Sequence, residues 1–549
     1  MKSNNILKLY RPAILVLFFT ISSCANFLET PPKDTYAEGN FYVNAKTAQL
    51  AVNSCYNVLN EDYIKYDWQS QCSDLDQGSS TFNSYILTTV FQQGYTGIHD
   101  CNVALKYIPG IDFKGNDVQK KDLIAQARTL RALYYYTISV LIGPVPLITT
   151  DLEYLEYAKV ERPKDITIIR NFMISELNAA IPDLYSKTTA EKGRVTKDFA
   201  RYLAAQVYML DHKWTEAEKL LKEIITSNNY SLLPNYENVC SYDTKGAVCS
   251  AFEYTAESLF EIGLIEGDVT FSERRTDCLT PLNCSGNDYR ALEKPMDLDY
   301  YQNVFLIKKE VVSRTLTRDT TWVDQEYGKF QTAKAGARVS VNVFTEDPRR
   351  KNTVYCFGDK MICMVQPGVY VDYTSSWFAD GNTLFLKRKY WPTSSVTYGG
   401  RRGMNYIVAR YAHVLLDYAE VQYRLGNNVL AYEYMNKVRE RAWTGYPRSL
   451  WERTQSGILY PDAYWNKQVF ATLSAKGYDK TFIDLMHEYF LEFGHEGQTT
   501  QLMMRWGKRE DVAVAFGAAP ESVRPEQIWY AYPQEEIDKN PSIWQNPGF

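Results

Sequence analysis

Apolar residues recur at steps of three and four in two well-marked stretches of the chain. Ala200, Leu203, Ala204, Val207 and Tyr208 share one face, and after a short turn Ala217, Leu220, Leu221, Ile224 and Ile225 do the same. That spacing predicts a pair of amphipathic α-helices over residues 197–227. Tyr411, Leu415, Tyr418, Ala419 and Gln422 predict another helix, and Ala431, Tyr434, Met435 and Val438 its partner. Leu425-Gly426-Asn427-Asn428 lies between them as a C-cap glycine and turn. Helices are also expected over Thr47 to Leu59, Tyr95 to Ile108, Lys121 to Ile142 and Asp165 to Leu184. Gly143-Pro144 stops the third, and Asp165 is placed to cap the fourth.

These segments make four helix pairs of about thirty residues each, the period of tetratricopeptide repeats in degenerate, non-contiguous form. The expected fold class is therefore all-α: a tetratricopeptide-like helix-pair scaffold with long irregular loop insertions and minor β structure. Between the third and fourth pairs, residues 228–404 lose the helical period. Pro, Gly, Asn and Asp concentrate there, with short β-like runs at Ala337 to Phe344 and Leu384 to Tyr390. Long insertions of this kind usually carry function.

The amino-terminal pattern differs again. Lys8 and Arg11 precede an apolar run from Ala13 to Ile21, followed by Ser22-Ser23-Cys24. The run is too short to span a bilayer and reads as an export signal ending in a bacterial lipoprotein box. Cleavage before Cys24 would leave its thiol carrying diacylglycerol and its new amino terminus acylated, a firm membrane anchor. Glu29-Thr30-Pro31-Pro32-Lys33-Asp34 then reads as an extended tether.

Composition narrows the function. A net charge of −5 over 549 residues argues against a nucleic-acid partner. With five His and no Cys-x-x-Cys, a metal site is not expected, and no cofactor motif is present. His487-Glu488 opens like a zinc-protease helix, but Leu491 stands where the second His is required. Asp74/Asp76 and Glu492/Glu496 could be proposed as acid–base pairs for glycoside cleavage, against a polar loop and a solvated helix face as the plain readings. His99 beside Asp100 suggests a dyad, with no nucleophile marked. The chain reads as a binding protein, not an enzyme. Its 10 cysteines include three near pairs, Cys240/Cys249, Cys278/Cys284 and Cys356/Cys363. With Cys24 assigned to lipid, Cys55, Cys72 and Cys101 remain, and sequence leaves the connectivity open.

The chain has 43 Tyr and 11 Trp, more than core packing requires. Trp68, Trp322, Trp377 and Trp391 fall outside the clear helical patterns, as do Tyr289 and Tyr300-Tyr301. Rings held in loops suit the C–H faces of sugars, with Asp, Asn and Arg bonding the hydroxyls.

Gln126-Ala127-Arg128-Thr129-Leu130-Arg131-Ala132-Leu133-Tyr134-Tyr135-Tyr136, running into Ile142-Gly143-Pro144-Val145-Pro146-Leu147, resembles the signature helix and turn of the SusD/RagB family. Arg410-Tyr411-Ala412-His413-Val414-Leu415-Leu416-Asp417-Tyr418-Ala419-Glu420 and Asn436-Lys437-Val438-Arg439-Glu440-Arg441-Ala442 are similar to its second block. Arg505-Trp506-Gly507, Tyr532-Pro533-Gln534-Glu535-Glu536-Ile537, Asn540-Pro541 and Gln545-Asn546-Pro547-Gly548-Phe549 are similar to its closing motifs. The resemblance spans nearly the whole mature chain, its blocks in order.

The resemblance implies a surface lipoprotein of Bacteroidota on the outer membrane, lipid-anchored and facing outward. Such proteins sit as a lid on a SusC-like TonB-dependent transporter and capture oligosaccharides, less often peptides. They have no catalytic activity, so a helical glycoside hydrolase is the remoter alternative. It also implies that Arg131, Tyr135 and Pro146 are packing and turn positions. Glycan contacts in relatives match, by order in the chain, Trp68 to Asp76 and Tyr289 to Trp391. The expected ligand residues are Trp68, Tyr301, Trp322 and Trp377 as stacking platforms, with Asp74 and Asp76 accepting from hydroxyls. Glu496 to Leu502 lacks the Arg and Asp of the family pattern, so neutral contacts are expected in place of a salt bridge. The resulting division is a signal at 1–23, a lipidated tether at 24–38 and one domain over 39–549. Within that domain the scaffold covers 39–227 and 405–442, the insertion 228–404 and a carboxy-terminal region 443–549.

Overall fold

The structure is a computed structural model that describes residues 41–60, 84–152, 154–239, 252–263, 304–324, 329–356, 405–444, 464–494, 499–507 and 528–549, with short pieces at 360–362, 370–372, 385–387, 496, 511–512 and 515. Among the described residues, eight helices form the scaffold: α1 (Ala45–Asn57), α2 (Ser84–Tyr107), α3 (Asp117–Ile142), α4 (Thr167–Ala180), α5 (Lys197–Leu210), α6 (Trp214–Thr226), α7 (Tyr411–Arg424) and α8 (Asn428–Ala442). Each packs on the next, so α6 meets α7 directly although the whole insertion separates them in sequence. The four expected helix pairs are present in order.

Side-chain caps set several helix starts. Thr196 Oγ1 accepts from Phe199 N at 3.3 Å, and Asn44 Oδ1 accepts from Thr47 N at 3.1 Å. Asp165 accepts from Thr167 N at 2.8 Å, just ahead of the first turn of α4. Gly426 ends the α7 turn with φ +84°, the left-handed conformation its position requires. Helix α2 begins eleven residues before the expected Tyr95. Gly94 and Gly97 weaken the local helix signal, but their lack of side chains is a packing requirement. A Cβ at Gly94 would lie 2.5 Å from Ile138, and one at Gly97 would lie 2.4 Å from the Tyr134 ring.

Two further helices cover the end of the scaffold, α9 (Tyr464–Ala475) and α10 (Lys480–Phe493), followed by α11 (Thr499–Trp506). Every residue of α10 from Thr481 to Phe493 is buried, so this helix is a core element with no wet face.

The minor β structure is two-stranded throughout the described residues. Strand β1 (Ser258–Ile262) pairs antiparallel with β10 (Tyr406–Arg410), joining an early part of the insertion to the strand that follows it immediately before α7. Strand β2 (Leu306–Thr315) pairs with β5 (Arg338–Glu346), and β3 (Thr320–Asp324) with β4 (Lys329–Ala333). Short strands β6 (Val354–Cys356) and β9 (Phe385–Lys387) form one pair, β7 (Lys360–Ile362) and β8 (Tyr370–Asp372) another. The runs expected near 337–344 and 384–390 correspond to β5 and β9. Among the described residues, no helix is long and apolar enough to cross a membrane.

Candidate functional site

Trp68, Asp74, Asp76, Tyr301 and Trp377, like Cys24, lie outside the described residues. Trp322 stands on β3 opposite Gln331 in the register, with its side chain outside them too. The cysteine pairs 240/249, 278/284 and 356/363 lie wholly or partly outside the described residues. What the structure does define is the frame that holds the ends of these segments.

The segment 61–83, with Trp68, Asp74 and Asp76, leaves the end of α1 and returns at the start of α2. Tyr134 OH donates to Cys55 O at 2.6 Å, and Ser54 Oγ donates to Asp100 Oδ2 at 2.6 Å, the second bond locking those two helices together. Three residues after Tyr301, Val304 is buried and its carbonyl accepts from His487 Nε2 at 2.8 Å. Burial pushes the His487 imidazole down to about 3, so it is neutral at physiological pH. The next residue is fixed as well, with Phe305 O accepting from Asp347 N at 2.8 Å.

A buried lattice of arginines and carboxylates underlies this frame. Arg410 Nη1 donates to Glu492 Oε1 at 2.6 Å and to Glu257 Oε1 at 2.7 Å; its Nε and Nη2 grip both oxygens of Glu496 at 2.9 and 2.8 Å. Arg441 reaches the same Glu257 at 2.9 Å and also pairs with Glu492. Arg349 bridges Asp347 and Glu488 at 2.9 and 2.6 Å, and Arg439 donates to the other oxygen of Glu488 at 2.7 Å. Burial alone would raise the Glu492 carboxyl, but Arg441, Arg410 and Arg349 together hold it well below the usual carboxylate range. With its oxygens taken up by three buried guanidiniums and no exposure to solvent, Glu492 is a structural carboxylate of the lattice.

This geometry corrects two expectations. Glu492 and Glu496 are not on a solvated helix face: they are 0% and 3% exposed. Nor are neutral contacts substituted beside Glu496, because Arg410 at the end of β10 makes the ion pair. Likewise Glu488 of the zinc-like motif is fully engaged by two arginines. His99 and Asp100 face different partners: His99 Nδ1 meets Tyr157 OH at 2.9 Å while Asp100 holds Ser54. Among the described residues, no three His, Cys, Asp or Glu side chains are grouped to hold a metal.

The other signature residues are structural, as the resemblance implied. Arg131 donates to Glu176 Oε2 at 2.9 Å, Asn102 Oδ1 at 2.7 Å and Thr149 O at 2.9 Å; Tyr135 OH donates to Ile148 O at 2.8 Å; Pro146 O accepts from Tyr95 OH at 2.6 Å. Arg505 joins α5, α7 and α10 through Gln206, Asp417, Glu420 and Tyr489. The closing motif straps down the end of α3. Asn546 Nδ2 donates to Ile142 O at 2.7 Å, and Arg162 donates to Pro144 O at 2.7 Å while lying between the rings of Tyr532 and Trp544.

Sequence reasoning missed Glu257, Arg349 and the β1–β10 pairing that brings Glu257 to Arg410. One signal was available: Glu488 and Glu492 sit in Leu485-Met486-His487-Glu488-Tyr489-Phe490-Leu491-Glu492-Phe493, where no polar face exists. A charge in an all-round apolar helix must be paired.

Comparison with known proteins agrees with the geometry. A family model described as the SusD family matches residues 256–549, and one described as starch-binding and associating with the outer membrane matches residues 29–217. SusD-like protein P25 of Formosa agariphila is 23% identical, with 96% of each chain covered. A SusD-like protein from Bacteroides fragilis has the same fold, with a TM-score of 0.66 at 16% identity over 93% of this chain and 99% of that one. Surface glycan-binding protein A from Bacteroides thetaiotaomicron, solved in complex with laminarihexaose, aligns with a TM-score of 0.57 at 18% identity over 92% of this chain and all of that one. With the family model covering more than half of the sequence and the scaffold shared end to end, the chain belongs to the SusD family.

Proposed function

We propose that this protein captures oligosaccharides at the outer face of the outer membrane and delivers them to a SusC-like TonB-dependent transporter, without cleaving them. The observation that carries the reading is the fold shared with a surface glycan-binding protein that holds laminarihexaose. The loop aromatics Trp68, Tyr301, Trp322 and Trp377 supply stacking faces, and Asp74 and Asp76 accept from sugar hydroxyls. Trp68, Asp74 and Asp76 belong to a segment flanked by the bonded helices α1 and α2, and Tyr301 lies three residues before Val304, whose carbonyl is held by His487, so these two segments start from fixed points. Acyl chains on Cys24 hold the protein at the membrane. The acidic pair Glu492/Glu496 is locked by arginine, which favours binding over hydrolysis.

Calorimetric titration with a glycan panel that includes laminarihexaose tests this directly. Once a binding glycan is identified, Trp68→Ala and Trp322→Ala should each weaken it at least tenfold while thermal stability holds. Undiminished affinity after replacement of all four aromatic platforms would reject the site, and binding of peptides with no glycan bound would reject the substrate class.

A further inference from the structure

Cys55 and Cys101 are the two buried free thiols among the described residues. Both are wholly inaccessible to solvent. They lie on neighbouring helices, Cys55 near the end of α1 and Cys101 in the second half of α2. The residue before each one makes a direct contact across the same helix pair, Ser54 Oγ to Asp100 Oδ2 at 2.6 Å. That register sets the two cysteines side by side on the buried side of the same helix pair, where Cys55 Sγ donates to Ala51 O at 3.4 Å. Tyr134 OH fixes the α1 backbone at this point by donating to Cys55 O at 2.6 Å. Among the described residues, no metal-binding group includes either thiol, and neither belongs to the ion-pair lattice around Glu492.

We propose that Cys55 and Cys101 are a redox pair that closes into a disulfide when the chain is exported, stapling the base of the loop that carries Trp68, Asp74 and Asp76. The proposal rests on the export reading and on those loop assignments, but its own test needs no ligand. The bond would enclose residues 56–100, so both ends of the 61–83 segment would be tied covalently. The oxidant is a protein disulfide of the dithiol-carrier class found in oxidising compartments. One cysteine thiolate attacks the carrier disulfide and forms a mixed disulfide. The second thiolate then attacks the chain's sulfur and releases the reduced carrier. Two electrons and two protons pass to the carrier, and the chain loses two hydrogens. Burial raises the Cys101 thiol well above its ordinary value, so thiolate is scarce once α1 and α2 have packed. Exchange therefore belongs to the unpacked chain, and the finished bond is shielded from external reductants. Cys72, inside the enclosed loop, is left as the odd thiol.

The experiment is peptide mapping of the full-length chain recovered from the envelope of cells that export it, denatured in alkylating agent without reductant. The expected result is a Cys55 peptide linked to a Cys101 peptide, lost on reduction, with Cys72 not joined to either. Both cysteines recovered fully alkylated before reduction would overturn the proposal, as would linkage of Cys72 to Cys55 or Cys101. A Cys55→Ala/Cys101→Ala double variant provides the second reading. With reductant present as unfolding exposes the bond, the melting temperature of the exported wild type should fall by more than that of the double variant. Equal loss in both would place the effect elsewhere and overturn the staple. Because the mapping is done on the unmutated protein, a double variant that fails to fold does not affect it.

Discussion

Arg410 and Glu492 meet at 2.6 Å with both side chains excluded from water, 1% and 0% exposed. Arg410 ends the strand that closes the insertion, and Glu492 lies near the end of α10. One contact thus ties the long excursion of the chain to the core of the scaffold. Glu257, at the opening of the same insertion, shares Arg410 and Arg441 with it. A buried ion pair is often no more stabilising than the apolar groups that could replace it. Here each guanidinium has several fixed acceptors, and the arrangement specifies which strand ends meet.

Removing one member leaves the rest uncompensated. Glu492→Ala should therefore destabilise the protein by about 3–5 kcal/mol, the usual cost of breaking a buried pair. Urea unfolding monitored by tryptophan fluorescence measures it, and a loss below ~1 kcal/mol would show that the lattice relaxes around the gap.

The same carboxylate sets an acid limit. Its native value lies below the ordinary 4.5, so its contribution is complete above that pH and is lost as pH falls through the native value. Stability of the wild type should drop steeply below about pH 4. The Glu492→Gln variant should show a shallower drop, and parallel profiles would count against the assignment.

Glu253 behaves in the opposite sense. Burial raises it to about 7, with Glu261 adding to the rise and Lys192 opposing it, while its carboxylate accepts from Asn405 N. The folded protein holds this proton more tightly than the unfolded chain, so stability falls as pH rises from 4.5 to about 7 and levels off above. In Glu253→Gln, which keeps an acceptor for Asn405, the melting temperature should lose that decline and exceed wild type at about pH 8. An unchanged slope would place the titration on another group.

Gly143 tests the strap at the end of α3. Its φ of 84° and ψ of −148° lie in a region open almost only to glycine, and a Cβ there would come within 2.7 Å of the Trp529 ring. Gly143→Ala should cost about 2 kcal/mol or more in strain and displaced packing. Calorimetric melting would register this as a lowered transition temperature, and a wild-type transition would contradict the geometry.

Much of the scaffold was legible because helix packing writes itself locally. Ala217, Leu221 and Ile224, at steps of four and three, are the buried face of α6, and Gly426 sits where a C-cap was expected. Two kinds of feature were not legible. Pairing of β1 with β10 joins an early part of the insertion to the strand that follows it, and nothing within either segment encodes the partner. Glu492 and Glu496 invite a solvated-face reading because polarity usually means exposure, whereas their partners come from distant segments of the chain. The loops proposed to bind ligand are the hardest part: their residue types point to sugars, but irregular loops carry no period that fixes side-chain geometry.

As the proposed lipid site, Cys24 gives a test that separates anchoring from folding. Cys24→Ala should bind the same glycan with unchanged affinity yet leave the membrane fraction when the transporter is absent. Retention in that fraction under those conditions would contradict a lipid anchor.

The most direct measurement follows one sample of purified protein with a glycan panel, by calorimetry for binding and by chromatography for products after prolonged incubation. Saturable heat with at least one oligosaccharide, and every glycan recovered at its original length, is the expected result. Steady release of shorter sugars would contradict the account, and so would saturable heat from peptides alone.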